Sequence, residues 1–386
     1  GVSAAGPIMR FDAEKFKTRF ACEVKGYDPT DYFDRKESRK YDLVSQFGII
    51  SANQAIKDSG LDFEKEDTDR IGVIWASGIG GLITFYEEVS SFAKGDGTPR
   101  FSPFFIPKMI VDITAGHISM LHGLHGPNYA TVSACASSAN AIADAAMLIR
   151  HGYADVIVAG GSEAAINQGG MGGFNSMQAI STKNDDPITA SRPFDKDRDG
   201  FVMAEGGGGL ILEEYDRAKA RGAKIYAEVA GFGLTADAYH LTAPHPEGAG
   251  AQKAMTIAMK DAGLNKTDID HINTHGTSTP VGDTAEANAI ASLFGDHAPK
   301  ISINSTKSMH GHLLGAAGAV ETMAVILALN KNVVPPTINH FTDDPDIDPK
   351  LDFTFNTAKE RIVKNAITNT FGFGGHNVSL ALKKVD

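Results

Sequence analysis

An internal repeat constrains the fold of this chain more than any other feature of its sequence. Residues 57–61 read Lys-Asp-Ser-Gly-Leu ahead of a β-prone run that begins at Ile71. Residues 260–264 read Lys-Asp-Ala-Gly-Leu ahead of a second such run that begins at Ile269. In both places a glycine is positioned to end a helix before a buried strand. The repeat therefore predicts two halves built on the same pattern.

A second correspondence links the chemically richest segments of the two halves. Cys135 lies between a short β-prone run and a helix of small residues predicted over 139–149. Its counterpart is a strand over 301–304, a polar elbow over 305–312 and a small-residue helix over 314–329. Because buried strands alternate with helices, the chain is expected to be an α/β protein.

The two halves are expected to meet near residue 223. A helix predicted over 213–221 closes the first half, so the expected domains are residues 1–223 and 224–386. Four successive glycines, residues 206–209, come just before this helix. Such a run can cradle a phosphate, but neither a Gly-Lys-Ser/Thr nor a Gly-x-Gly-x-x-Gly context accompanies it, so close backbone packing is favoured.

Composition argues against several classes of function. The 386 residues carry a formal net charge of −11. This charge argues against general binding to nucleic acid, because phosphate contacts require a basic surface. Two cysteines are too few for a disulfide framework, so a reducing compartment and a cytoplasmic location are expected. Gly, Ser or charged residues interrupt each apolar run before the roughly 18 residues that span a bilayer, and no membrane insertion is expected.

One local basic cluster stands out against this acidic background. Arg35, Lys36, Arg39 and Lys40 lie close together in the sequence, interrupted by Glu37. The residues alone favour a solvated helix face. A docking patch for a small acidic partner is the alternative.

Cys135 is the first candidate for catalysis. It lies in the segment Ser-Ala-Cys-Ala-Ser-Ser, at the predicted start of a helix. Exposed backbone N–H groups at a helix N-terminus favour negative charge, which predicts a thiol pKa below the usual value of about 8.5 and a reactive thiolate. An inert core residue is an equally good interpretation, because free cysteine is among the most buried residue types.

Two histidines occupy comparable positions. His275 follows a predicted strand in Asn-Thr-His-Gly-Thr-Ser-Thr-Pro, and His312 ends the segment Ser-Thr-Lys-Ser-Met-His-Gly-His ahead of a helix. Either ring alone is more simply a hydrogen-bonded core residue. Together with Cys135 they predict a site at strand ends, where neutral imidazoles stabilise a developing enolate. Lys307 would hold the local charge and fix the orientation of the rings.

Two further features leave alternatives open. His310, His312, His122 and His125 offer imidazoles to a metal, but His-x-His is a weak signal and no Cys-x-x-Cys or His-Glu-x-x-His pattern supports it. We therefore expect no metal.

Residues 371–377 read Phe-Gly-Phe-Gly-Gly-His-Asn between two β-prone runs. They predict either a plain hairpin or a loop whose glycines let backbone N–H groups approach a ligand.

In combination these motifs resemble the β-ketoacyl-acyl-carrier-protein synthases, and most of all those of type II. The resemblance covers nearly the whole chain. Its motifs are Ser-Ala-Cys-Ala-Ser-Ser around Cys135, His-Gly-Thr-Ser-Thr-Pro from His275, Ser-Thr-Lys-Ser-Met-x-Gly-His ending at His312 and Gly-Phe-Gly-Gly from Gly372. The resemblance implies a thiolase-like fold, in which two duplicated α/β halves form a five-layer αβαβα sandwich, usually within a homodimer.

The resemblance also implies a reaction and a partner. Acyl- and malonyl-loaded acyl carrier protein would undergo a decarboxylative Claisen condensation that elongates a fatty acyl chain. No bound cofactor is implied, because both substrates are carried on the 4′-phosphopantetheine of acyl carrier protein. A polyketide-type ketosynthase and a non-catalytic chain-length partner subunit are the alternatives, and Cys135 argues against the second.

Roles for individual residues follow from the same resemblance. Cys135 would hold the acyl group, His275 and His312 would stabilise the enolate, and the N–H groups of Cys135 and Phe373 would form the oxyanion hole. Lys307 and Glu286 would maintain the histidine network, and Phe373 would also gate the entry of the malonyl group. Thr277 and Thr279 would hydrogen-bond the pantetheine arm, and the acyl pocket would be lined by Ile79, Phe174 and Phe371. Carrier docking would fall to the basic cluster of Arg35, Lys36, Arg39 and Lys40.

The chain also differs from the pattern of this family and of its relatives. The family usually opens with a β-strand and a helix, so we expect the N-terminal half of this chain, which starts at Gly1, to lack both. Thiolases carry a second catalytic cysteine in the C-terminal glycine-rich loop, where residues 374–376 read Gly-Gly-His. Synthase III relatives pair the cysteine with His and Asn, whereas His312 completes a Cys-His-His set here.

Overall fold

The computed structural model describes residues 1–385 and contains α-helices and β-strands throughout its length. The α-helices are α1 (Arg35–Ser38), α2 (Leu43–Ser59), α3 (Leu82–Lys94), α4 (Phe105–Met109), α5 (Ile113–His122), α6 (Ser137–Arg150), α7 (Gln168–Ser176), α8 (Tyr215–Ala220), α9 (Ala249–Asp261), α10 (Pro280–Phe294), α11 (Lys307–His310) and α12 (Ala317–Lys331). The strands are β1 (Gly6–Pro7), β2 (Phe20–Ala21), β3 (Ile71–Ala76), β4 (Asn128–Tyr129), β5 (Val156–Glu163), β6 (Gly206–Glu213), β7 (Glu228–Ala236), β8 (His271–Asn273), β9 (Ser302–Asn304), β10 (Val333–Val334), β11 (Lys359–Glu360), β12 (Asn365–Gly372) and β13 (His376–Lys383).

Two larger sheets organise these elements, one from each half of the sequence. The first has the order β4-β3-β5-β6, with β3 parallel to β4 and β5, and β6 antiparallel to β5. The second has the order β7-β13-β12-β8-β9, with β8 parallel to β12 and β9, and β13 antiparallel to both β12 and β7. Strands β3 and β5 are buried along their full length, as expected for strands covered on both faces.

Helices form three layers around the two sheets. Helices α2 and α5 cover the outer face of the first sheet, α6 and α12 lie between the two sheets, and α9 packs with α10 on the outer side of the second sheet. The alanines of α6 join Ile74, Ile157, Val378 and Leu380 in one core between the sheets. This is the predicted five-layer αβαβα sandwich, so the expected thiolase-like α/β fold is confirmed.

The repeat of Lys-Asp-Ser-Gly-Leu and Lys-Asp-Ala-Gly-Leu is visible in the backbone. Gly60 follows α2 with φ 68°, and Gly263 follows α9 with φ 65°. Both values lie in the left-handed region, where glycine ends a helix without steric cost. In each half a strand, β3 or β8, comes next. The predicted duplication is therefore confirmed at the level of helix ends and following strands.

The glycine run in β6 serves close packing. A Cβ on Gly207 would lie 2.8 Å from the Ser51 hydroxyl oxygen, and one on Gly208 would lie 3.1 Å from the backbone nitrogen of Val320. Residues with side chains would therefore push α2 and α12 away from the two faces of this strand. The structure supports the packing interpretation of these glycines.

One helical stretch, Leu314–Lys331, is long and apolar enough to cross a membrane by length and composition alone. Gly315, Gly318 and Glu321 interrupt its apolar residues, and the expectation of no membrane insertion stays a prediction. Glu321 lies inside this stretch and does not lower its mean hydropathy enough to exclude it. In the fold 61% of these residues are buried, because α12 packs between the two sheets.

The boundary between the domains 1–223 and 224–386 stays a prediction. It falls in the connection between α8 and β7, and each of the two larger sheets lies on one side of it.

Candidate active site

A strained turn presents Cys135 between the sheets. Ala134 adopts φ 51°, a left-handed conformation that is costly for a residue with a side chain. The Ser137 hydroxyl holds this turn, because it donates to the carbonyl oxygen of Ala134 at 2.6 Å and accepts from the N–H of Ser133 at 2.9 Å. The turn places Cys135 two residues before α6, as the sequence predicted.

Cys135, His275 and His312 meet in space although they come from both halves of the chain. The His312 Nε2 atom lies 3.1 Å from the Cys135 sulfur. The two imidazole rings lie edge to face, with centroids 5.3 Å apart. The sulfur and one nitrogen of each ring all lie within 4.8 Å of one another. The structure thus brings together the three groups that the sequence singled out.

The electrostatic prediction for the thiol was wrong. Burial raises the pKa of Cys135 to about 12, whereas the helix position had suggested a value below the usual one. The charge of Lys307 and a hydrogen bond from the Phe373 backbone act in the lowering direction, but desolvation is the larger effect. The resting side chain is therefore a neutral thiol next to an imidazole rather than a preformed thiolate.

Both histidines are held in the neutral form. Burial lowers the pKa of His275 and of His312 well below the usual range, and the positive charge of Lys307 acts in the same direction on both rings. A neutral imidazole has one nitrogen that accepts a proton and one N–H that donates. The pair can therefore accept the thiol proton at one stage and donate hydrogen bonds at another.

Lys307 forms an ion pair that sequence analysis missed. Its ammonium contacts the carboxylate of Glu321, and the side chains are 1% and 0% exposed. Burial raises the pKa of Glu321 to about 7, with Lys307 acting against that shift. The available signal was a single carboxylate in the middle of the largely apolar helix α12. Such a residue is rarely buried without a partner.

Glu286 supports the backbone around His275 rather than the imidazole itself. Its two carboxylate oxygens accept from the N–H groups of His275 at 3.0 Å and Gly276 at 2.9 Å. The amide of Asn369 donates to it at 3.2 Å. Desolvation raises the pKa of Glu286 to about 7. The hydrogen bonds from these three donors act in the opposite direction and reduce the cost of burying the charged carboxylate.

The loop after β12 approaches the nucleophile closely. A Cβ on Gly372 would lie 2.5 Å from the carbonyl oxygen of Ser133 and 3.2 Å from the backbone nitrogen of Cys135. The absence of a side chain at this position lets the loop lie against the elbow. The backbone N–H of Phe373 is consequently hydrogen-bonded to the Cys135 sulfur. Strands β12 and β13 also confirm the predicted hairpin.

A cavity of about 320 Å³ opens onto these groups. The Thr277 and Thr279 hydroxyls lie 3.0 Å apart in its wall. Ile79 is placed differently, in an apolar cluster that also contains Cys135 and Leu314. The predicted site residues that line the cavity are Cys135, Phe174, His275, Thr277, Thr279, Glu286, His312, Phe371 and Phe373.

The basic cluster lies on and next to the short helix α1. Arg35, Lys36 and Arg39 are exposed, whereas Lys40 is half-buried and pairs with Glu37 at 2.5 Å. Asp34 caps the helix by accepting from the N–H of Lys36 at 2.7 Å. The exposed cations fit a solvated face and a docking patch equally well.

The metal interpretation finds little support in the local charges. One cysteine and two histidines could ligate zinc, but the Lys307 ammonium already acts on both rings and disfavours a second cation there. The His310 ring nitrogens contact the Gly311 carbonyl oxygen and the Thr306 hydroxyl. His122 contacts the side chain of Asn53.

A thiolase-like fold with a cysteine and two histidines at the junction of its halves defines a condensing enzyme of the acyltransferase class. The N-terminal domain of β-ketoacyl synthases matches residues 1–218, and the C-terminal domain matches residues 226–341. The chain belongs to the β-ketoacyl synthase family, as its motifs predicted.

Individual relatives agree over the full length. The 3-oxoacyl-[acyl-carrier-protein] synthase 2 of Synechocystis sp. is 48% identical over 384 residues, which cover 100% of this chain and 92% of that protein. A solved β-ketoacyl synthase from Burkholderia phymatum is 35% identical with a TM-score of 0.92, covering 100% of this chain and 93% of that one. A ketosynthase solved in complex with its type II polyketide acyl-carrier protein is 33% identical with a TM-score of 0.90, with the same coverage.

Proposed function

We propose that this enzyme is a β-ketoacyl-acyl-carrier-protein synthase of type II, which elongates fatty acyl chains on acyl carrier protein. The observation that carries the proposal is the 3.1 Å contact between the Cys135 sulfur and His312 Nε2 inside a cavity shared with His275. The names of the relatives point to the same activity. No cofactor enters the reaction, because the chemistry needs only a thiol, two imidazoles and backbone N–H groups.

Acyl transfer to Cys135 is the first step. The sulfur attacks the acyl carbonyl, the bond to the carrier thiol breaks, and the proton of Cys135 passes through His312 to the departing carrier thiolate. The N–H groups of Cys135 and Phe373 stabilise the oxyanion. Since the thiol starts protonated, the transfer needs no outside acid.

Decarboxylation of malonyl-carrier protein is the second step. The bond to the carboxylate breaks, carbon dioxide leaves, and the electron pair forms an enolate whose oxygen accepts hydrogen bonds from His275 and His312. The enolate carbon attacks the acyl-Cys135 carbonyl, the carbon–sulfur bond breaks, and the thiolate regains a proton from solvent. Glu286 holds the backbone of His275 in place, and Lys307, paired with Glu321, acts on both rings through its charge.

The residues in and around the cavity are proposed to serve either the pantetheine arm or the acyl chain. Thr277 and Thr279 hydrogen-bond the pantetheine arm, and Phe373 gates the entry of the malonyl group. Phe174 and Phe371 contact the acyl chain. Ile79 faces the same chain through the apolar cluster around Cys135.

Acylation of Cys135 is the direct test of this function. Incubation with acyl-carrier protein is expected to add one acyl group to the chain, because the carrier thioester exchanges with the Cys135 thiol. Intact-protein and peptide mass spectrometry would locate the adduct. The Cys135→Ala variant should show none, since Cys135 lines the cavity and Cys22 is not among its lining residues. Absence of an adduct from every acyl chain tried would contradict the function.

The carrier is proposed to dock on the exposed cations of Arg35, Lys36 and Arg39. Reversing all three to glutamate should raise KM for acyl-carrier protein about tenfold and leave kcat nearly unchanged, because charge complementarity acts on encounter. Acyl-pantetheine, which lacks the acidic carrier, should be used at the wild-type rate. Steady-state kinetics with both substrates measures the difference.

The matched control reverses Lys266, Lys300 and Lys350, three exposed lysines outside the basic cluster. It changes the net charge by the same amount and should leave KM for the carrier near the wild-type value. Equal effects of the two triple variants would contradict docking at α1.

A homodimer is proposed on the basis of an exposed aromatic patch and of the family resemblance. The patch lies along α3, α4 and the segment between them, and Phe101 stacks on Phe105 with centroids 5.3 Å apart. Exposed contiguous apolar surface of this kind marks protein interfaces, and a second copy of this chain is the occupant we propose. The patch consists of Phe85, Val89, Phe92, Phe101, Phe104 and Ile106.

Sedimentation equilibrium is expected to give the mass of two chains for the wild type. A Phe92→Glu/Phe104→Glu variant should sediment as one chain, because charges would be buried in the interface. A variant that stays dimeric would place the interface elsewhere.

A cytoplasmic location is also proposed, supported by two cysteines that are both free, and cell fractionation would test it.

A further inference from the structure

Glu163 is a buried carboxylate that the reaction steps above do not use. It ends strand β5 and is 0% exposed. Burial raises its pKa, and the hydrogen bonds that it accepts act in the opposite direction. Burying a carboxylate is costly unless its oxygens are fully hydrogen-bonded.

The two oxygens of Glu163 accept hydrogen bonds from both halves of the chain. Oε1 accepts from the Ser77 hydroxyl at 2.8 Å and from the N–H of Ile79 at 3.3 Å. Oε2 accepts from the N–H of Gly78 at 2.8 Å and from the N–H of Gly315 at 2.9 Å. One side chain thus connects the end of β5, the loop after β3 and the turn before α12.

Glycines are required where this carboxylate meets the backbone. A Cβ on Gly315 would lie 2.1 Å from the backbone nitrogen of Gly78 and 2.8 Å from Glu163 Oε2. A Cβ on Gly78 would lie 2.9 Å from the same oxygen and 3.3 Å from the carbonyl oxygen of Ala134. The two segments therefore cross in direct backbone contact beside the elbow that carries the nucleophile.

The segments that Glu163 connects carry apolar walls of the site. Ile79 follows Gly78, and Leu314 precedes Gly315 in a left-handed conformation with φ 48°. Both side chains pack in the apolar cluster that contains Cys135. An acyl chain bound to the sulfur would extend against side chains whose backbone Glu163 holds.

We propose that Glu163 is a positioning residue for acyl-chain selection, which fixes the wall formed by Ile79 and Leu314 around the chain on Cys135. The proposal rests on the function proposed above, because it concerns the acyl group that Cys135 accepts. Glu163 does not touch the reacting atoms. The charge of Glu163 acts to raise the pKa of Cys135, and this effect is the same for every acyl chain. The effect of the wall should therefore appear in the ratio of kcat/KM for long and short chains and grow with the length of chain that contacts the wall.

The test is the Glu163→Gln variant, which keeps the size of the side chain. Its amide oxygen can take the Oε2 position and accept hydrogen bonds from the N–H groups of Gly78 and Gly315. The amide NH2 group then takes the Oε1 position and donates to the Ser77 hydroxyl, which can rotate to accept this hydrogen bond. The N–H of Ile79 then loses its acceptor. We expect the kcat/KM for a long saturated acyl-carrier protein, relative to acetyl-carrier protein, to fall about tenfold.

The Glu205→Gln variant is the matched control. Glu205 is also a buried carboxylate, adjacent to strand β6 of the same sheet, but it pairs with Arg10 away from the loop after β3. It should lower the melting temperature without changing the chain-length ratio. If Glu163→Gln does not fold, Ser77→Ala serves the same purpose, because it removes the hydroxyl that donates to Glu163 and accepts from the N–H of Gly80.

Two results would overturn the role proposed for Glu163. One is a raised preference for the long chain in the variant. The other is an unchanged preference, and an unchanged preference with an equal loss of kcat/KM for both substrates indicates a purely structural role. These outcomes are distinct from failure of the proposed function. If wild-type Cys135 accepts no acyl group at all, the function fails before the ratio is measured.

Discussion

Desolvation of ionisable groups at the junction of the two halves is the constraint on which the rest of this structure depends. Cys135 comes from the first half and His312 from the second, and both lie between the sheets. In such surroundings the neutral form of each group is favoured, so the thiol keeps its proton and the imidazole stays uncharged. Charge develops at this position only when a substrate supplies it.

The charged side chains discussed near the site form ion pairs or accept hydrogen bonds that offset the cost of their burial. Lys307 pairs with Glu321, and Glu286 and Glu163 have their oxygens occupied by N–H or hydroxyl donors. The hydrogen bonds of Glu286 and Glu163 hold the surrounding backbone in place, and fixed backbone donors stabilise an oxyanion without reorganisation. Glycines at the crossing points, such as Gly372 and Gly315, allow the approach distances that this arrangement needs.

The sequence alone predicts much of this arrangement. The repeated helix-glycine-strand pattern indicates the duplicated α/β fold, and the segments around Cys135, His275 and His312 indicate the site, because each carries a local signal of strand end, elbow or helix start. Contacts between distant segments carry no such signal. From the sequence, Glu321 is only a carboxylate in a helix, and Glu163 is only a carboxylate at the end of a strand. Their partners are set by how the halves pack.

The pKa of Cys135 is the clearest case in which local reasoning fails. The start of a helix favours a thiolate, but the depth of the position in the sandwich is a tertiary property and has the larger effect. The consequence for mechanism is that the thiol proton is available for the departing carrier group. A thiolate beside a neutral His312 would have no such proton to give.

Alkylation of Cys135 by iodoacetamide as a function of pH tests this account most directly. With the pKa raised to about 12, the thiolate fraction and the rate should increase about tenfold per pH unit between about pH 6 and pH 9, without levelling off. Peptide mass spectrometry would follow Cys135, with Cys135→Ala as the background. A rate that reaches a plateau below about pH 8 would show a preformed thiolate and contradict the account.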